Sequence, residues 1–154
     1  MSLEHEVDLL RKIPIFAKID PAKLKLLAFT SERIAFDQGQ TLFSQGDQSD
    51  AAYVIIDGTA DVLVDTISGQ VSVAHLGRND LVGEIGILCD VPRTATVKAL
   101  TELETLKIEK RNFFRLIEEF PQMAAEIVRE LAARLARTTS DLTDTRNELA
   151  SLKR

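Results

Sequence analysis

The chain has one cysteine among its 154 residues, no tryptophan, one tyrosine, two histidines and four prolines. Cys89 alone closes no internal disulfide and holds no zinc or iron–sulfur centre. It ends an apolar run and reads as a small buried hydrophobe. Positive charge is not in surplus: 19 Lys and Arg stand against 24 Asp and Glu, a net charge of −5. That balance exerts no general pull towards nucleic acid or anionic membranes. No apolar run approaches the roughly 20 residues of a membrane span. The N-terminus also lacks a signal-peptide core, so a cytoplasmic setting without membrane contact is expected.

What is present is the composition of an ordinary globular domain, 45% hydrophobic and 28% charged. The length suits one domain with a real core and one appended element. Leu3, Val7 and Leu10 fall at helical spacing, and Ile13-Pro14 breaks that helix. Asp20-Pro21 then supplies a cap and a first-turn proline for a second helix. From Ile34 to about Ile108 the rhythm becomes short strands between turns at Gly39, Gly46, Gly58, Gly69 and Gly77, which predicts an antiparallel roll or barrel. Phe36, Phe43 and Tyr53 are expected as core aromatics. From Lys110 the pattern is helical again, with a short helix to Pro121 and a long one over 122–153.

In the long helix Val128, Leu135, Leu142 and Leu149 take heptad position a, with Leu131, Thr138, Thr145 and Leu152 at d. Asp141 with Arg146 and Glu148 with Lys153 would attract across a parallel pair. The first turns are expected to pack on the chain's own barrel. The remainder, within 122–153, is expected to form a homodimer.

The stretch with most chemistry is Leu81–Val97, LVGEIGILCDVPRTATV. Gly83 and Gly86 flank Glu84, and Arg93 follows Pro92 nine residues after Glu84. Two ionic side chains in so apolar a run require partners. Gly83 allows a ligand close to the main chain, and a short helical turn over 84–88 would aim N–H groups at an anion. Pro92 reverses the chain so that Arg93 can fork hydrogen bonds onto a phosphate. Glu84 would be repelled by that phosphate and suits a neutral donor, such as a pair of sugar hydroxyls.

GEIGIL followed by PRTATVKA closely resembles the phosphate-binding cassette of cyclic nucleotide-binding domains, and similarity to that family extends over about residues 13–137. Val82 departs from it, standing where the family often has Phe. The resemblance implies an α+β, mainly β fold: an antiparallel, jelly-roll-like β-roll with N-terminal helices, a short cassette helix and a long C-terminal helix. It divides the chain into a helical segment at 1–29, the nucleotide-binding roll at 30–109, and lid and dimerisation helices at 110–154. Residue by residue it implies that Gly83 and Ile85 offer backbone N–H groups, Glu84 takes the ribose 2′-hydroxyl and Arg93 the cyclic phosphate. Thr94 would sit beside phosphate and base, with Gly86 and Ala95 completing the cassette. Thr138-Thr139, 45 residues beyond Arg93, resembles the base-contacting pair on the dimer helix of the catabolite activator protein.

The function so implied is a non-catalytic sensor with cAMP or cGMP as ligand and no metal. A hydroxyl at Thr94 permits cyclic GMP, whereas Thr138-Thr139 favours cyclic AMP. A metal-dependent cupin, the enzyme that shares a small β-roll, needs clustered histidines, and the barrel contains only His75. A DNA-binding regulator of the activator family would carry a helix-turn-helix after the dimer helix. Direct nucleic acid binding by this chain is therefore not expected. It could be a regulatory part of such a regulator, a stand-alone sensor, or a degenerate domain, against which Glu84 and Arg93 argue.

Overall fold

Residues 3–152 are described by a computed structural model. Two helices, α1 (Leu3–Arg11) and α2 (Pro21–Thr30), flank a 3-10 turn at Pro14–Phe16. Asp20 caps α2 by accepting from the Ala22 N–H at 3.1 Å, with Pro21 in the first turn. Among the described residues eight strands follow: β1 (Glu32–Phe36), β2 (Thr41–Phe43), β3 (Ala51–Asp57), β4 (Ala60–Thr66), β5 (Gly69–Leu76), β6 (Leu81–Val82), β7 (Thr96–Ala99) and β8 (Leu103–Glu109). A short helix, α3 (Glu84–Cys89), lies between β6 and β7, and α4 (Lys110–Glu119) and α5 (Pro121–Leu152) end the chain. The strands pair antiparallel in two four-stranded sheets, ordered β1-β8-β3-β6 and β2-β7-β4-β5. This is the mainly β roll with a long C-terminal helix that the turn spacing and the resemblance predict.

Strand β3 explains the layering. Its run Ala51–Ile56 is buried throughout, because alternate residues serve different cores. Ala51, Tyr53 and Ile55 face the interior of the roll with Phe36, Val97 and Leu103. Ala52, Val54 and Ile56 face outwards, where α1, α2, α4 and the start of α5 cover them through Leu10, Leu24, Phe113 and Met123. Phe36 and Tyr53 are core aromatics as expected, meeting edge-on at 6.2 Å. Phe43 is only half-buried, and its ring has a different use.

Only the first turns of α5 belong to the second core. Met123 and Ile127 are buried and Leu131 packs against the same cluster. Lys18 Nζ reaches Glu126 Oε1 at 3.0 Å across the junction, and its hydrogen bond holds the Glu126 carboxyl below its ordinary pKa. Beyond, Leu135 and Leu142 are 68% and 59% exposed on a helix that leaves the body of the protein. Lys153, part of the expected inter-helix charge pairing, lies outside the described residues. Cys89 corrects an expectation. It is exposed rather than buried, since it ends α3 just before Asp90 turns left-handed at φ 52°.

Phe113 is fully buried where α4 seats on β3 and β8. Phe113→Ala should cost about 3–5 kcal/mol, read as a lower urea midpoint. A loss under about 1 kcal/mol, the range of surface substitutions, would contradict this packing.

Candidate functional site

The site is assembled by the chain reversal between β6 and β7. After Val82 the backbone turns at Gly83, with φ 89°, a conformation that L side chains rarely adopt. A Cβ at Gly83 would also lie 2.5 Å from Arg93 Nη1, so the absent side chain is the space the guanidinium occupies. At Gly86 a Cβ would overlap the Ser49 hydroxyl, which donates to the Val91 carbonyl at 2.7 Å. Helix α3 is thereby held flush on the 44–50 loop. Arg93 N donates to Asp47 O at 2.8 Å, and Arg93 O accepts from Gly46 N at 2.9 Å, so the arginine backbone is clamped at both sides.

Arg93 is only 4% exposed. Nη1 donates to Gly83 O at 2.9 Å, and Nη2 to Ala51 O at 2.6 Å and Asp50 Oδ1 at 3.4 Å. Phe43, half-buried beneath it, puts its ring centroid 4.0 Å from Cζ, a cation–π contact. Nε is buried with no hydrogen-bond partner. Burial lowers the guanidinium pKa from its ordinary value, and Asp50 is the main opposing influence. A buried donor without a partner marks a place that an acceptor would fill.

Glu84 is buried as well, but its partner is not a neutral donor. Its Oε1 accepts from Arg134 Nη1 at 2.6 Å, across 50 residues of sequence. Arg134 Nη2 lies 3.8 Å from Glu130, one turn back on α5. The resulting cavity, about 420 Å³, has the seven cassette residues Gly83, Glu84, Ile85, Gly86, Arg93, Thr94 and Ala95 in its lining. Its other charged walls are Asp80, Glu130, Arg134 and Arg137. Three cations (Arg93, Arg134, Arg137) thus balance three carboxylates (Asp80, Glu84, Glu130). An anion entering it meets no net repulsion despite the chain's overall charge of −5.

Thr138 and Thr139 are not brought into this cavity. Both are exposed on α5, and the Thr138 hydroxyl donates to Arg134 O at 2.9 Å. Sequence reasoning missed Asp50, Phe43, Arg134 and Arg137. The signal for the two arginines was the line Met123, Ile127, Glu130, Arg134, Arg137, spaced by four and three on the side of α5 away from position a. Among the described residues no cluster of three or more His, Cys, Asp or Glu could hold a metal, and no helix is long and apolar enough to cross a membrane.

Residues 33–120 match the cyclic nucleotide-binding domain. The chain belongs to that family. A CRP-like cAMP-activated global transcriptional regulator of Mycobacterium tuberculosis is 27% identical over 138 residues, which cover 89% of this chain and 62% of that protein. A cAMP-dependent protein kinase regulatory subunit of Dictyostelium discoideum is 32% identical over 75% of this chain and 37% of its own length. The chain therefore spans less than two thirds of either relative. Among solved structures, the catabolite activator protein of Thermus thermophilus aligns with a TM-score of 0.76 at 28% identity, covering 84% of this chain and 61% of that one.

Removing Arg134 strands the Glu84 carboxylate in a buried place. Arg134→Ala should cost about 1–2 kcal/mol, less than a fully buried pair because Arg134 is 38% exposed. Adding Glu84→Gln should return part of the loss. Chemical denaturation of the two variants reads both effects, and equal stability of R134A and the wild type would contradict the pairing.

Proposed function

We propose that the chain is a non-catalytic, cytoplasmic receptor domain for a 3′,5′-cyclic purine nucleotide. The observation that carries this reading is the buried Arg93 guanidinium, whose Nε lacks a partner beside the left-handed Gly83. A cyclic phosphate there takes Nε, the backbone N–H groups of Gly83 and Ile85, and the hydroxyl of Thr94. The ribose 2′-hydroxyl then falls to Glu84, and Gly86 and Ala95 shape the floor. Cyclic AMP is the first candidate, since the names of both curated relatives carry it. No metal is required.

Arg134 makes the site a reporter. The ribose hydroxyl competes for, or joins, the oxygen that Arg134 now holds, so occupancy alters the hold of α5 on the cassette. A ligand moves such an equilibrium only by its differential affinity for the two states, and Glu84 is where that difference arises. Closure of the 110–154 helices over the roll is the resulting motion. The exposed line Val128, Leu135, Leu142, Leu149 supports a parallel homodimer through α5. In that arrangement Thr138 and Thr139, at positions d and e, face a second subunit and reach the base from the interface. The same module can serve a larger regulator of the kind its relatives exemplify.

Calorimetric titration of cyclic AMP and cyclic GMP into protein refolded free of bound nucleotide tests the receptor reading. Tight binding of at least one is expected. Arg93→Ala should weaken it at least about 100-fold, the loss of charge-assisted bonds worth roughly 3 kcal/mol; unchanged affinity would sink the assignment. Sedimentation tests the dimer. The wild type should sediment as a dimer and Leu135→Asp with Leu142→Asp as a monomer, and a monomeric wild type would exclude the seam.

A further inference from the structure

We propose that Arg137 is a base-reading residue that gives the site its affinity for guanine, so that cyclic GMP is a ligand alongside cyclic AMP. This rests on the reading of the cavity as a cyclic nucleotide site and deepens it.

Arg137 continues the roll-facing line of α5 one turn beyond Arg134 and lines the same cavity. The three cations there differ in commitment. Arg93 is bonded to Gly83, Ala51 and Asp50, and Arg134 to Glu84 with Glu130 nearby. Arg137 alone of the three has no hydrogen bond or ion pair among the described residues, and Asp141, one turn further along α5, does not engage it. Three carboxylates, Asp80, Glu84 and Glu130, line the same cavity, and Arg137 pairs with none of them.

The geometry of the bound nucleotide follows from the fixed groups. Phosphate lies at Gly83 and Arg93, ribose at Glu84, and the base against the apolar wall of Val62, Leu76 and Val97. Of the carboxylates in the lining, Asp80 accepts from the Gly77 N–H at 2.8 Å and Glu130 lies beside Arg134, so within one subunit the Thr94 hydroxyl and Arg137 are left for the base edge. A guanidinium only donates. Guanine presents two acceptors, O6 and N7, which a planar fork satisfies together. Adenine presents N7 beside an amine, so the second donor of the fork faces another donor. Thr94, which can accept, suits the exocyclic 2-amine that guanine has and adenine lacks. Both free polar groups therefore point to the same base.

The test is titration of cyclic AMP, cyclic GMP and cyclic IMP, which keeps O6 and N7 but lacks the 2-amine, into the full chain and its variants. Arg137→Ala should weaken cyclic GMP and cyclic IMP by about 10–100-fold, the usual worth of a bidentate base contact. Cyclic AMP should change by less than about threefold. Arg137→Lys should not restore the loss, because an ammonium cannot fork. Thr94→Ala should weaken cyclic GMP more than cyclic IMP. Equal losses for all three nucleotides in R137A would mean that Arg137 serves the phosphate, and no loss would mean that it faces solvent; either overturns the inference and leaves the receptor reading intact. A wild type that binds none of the three overturns the receptor reading itself. Arg137 is exposed, so melting of nucleotide-free R137A should match the wild type, and R137K supplies a second folded variant.

Discussion

A guanidinium taken out of water governs the architecture around the β6–β7 reversal. Moving an ion of that size out of solvent costs several kcal/mol even after relaxation, so Arg93 stays buried only because its surroundings are built to receive it. The carbonyls of Gly83 and Ala51 accept from its two terminal nitrogens, Asp50 adds a distant countercharge, and Phe43 presents its ring face. Each condition propagates. Gly83 must lack a side chain, the 44–50 loop must clamp the arginine backbone, and Gly86 must let α3 sit on Ser49. Among the described residues Arg93 Nε is the one buried side-chain nitrogen or oxygen left without a hydrogen-bond partner. An acceptor placed there would satisfy it.

Helix α5 has two faces with separate duties. The line from Met123 through Ile127 to Arg134 anchors it to the body of the protein and to Glu84. The line through Leu135 and Leu142 remains exposed. One helix carries both lines, and the Glu84–Arg134 ion pair joins it to the cassette. The charge balance of the cavity involves the same helix. Arg134 neutralises a carboxylate that would otherwise oppose an entering phosphate, yet it leaves Arg137 free for another partner.

Much of this could be read directly from the chain. The glycine-punctuated strands, the cap at Asp20-Pro21, the turn at Gly83 and the heptad of α5 are local features, set by φ preferences and by periods of two and three to four residues. They determined the roll, the cassette and its order along the chain. Cys89 follows an apolar run that suggests burial, whereas α3 ends there with its last side chain in solvent. A strand phenylalanine such as Phe43 reads as a core aromatic, and only its neighbour Arg93 reveals its use.

What the tertiary structure alone decided is which groups the two buried ions meet. Glu84 and Arg134 stand 50 residues apart, and no spacing rule links a cassette carboxylate to one of several arginines on a distant helix. Periodicity states that α5 has an apolar seam; it does not state which face meets the roll. That depends on how Met123 and Ile127 dock against the N-terminal helices, a packing choice settled by shape complementarity among side chains far apart in sequence. The same docking put Arg137 into the cavity and left Thr138 and Thr139 outside it.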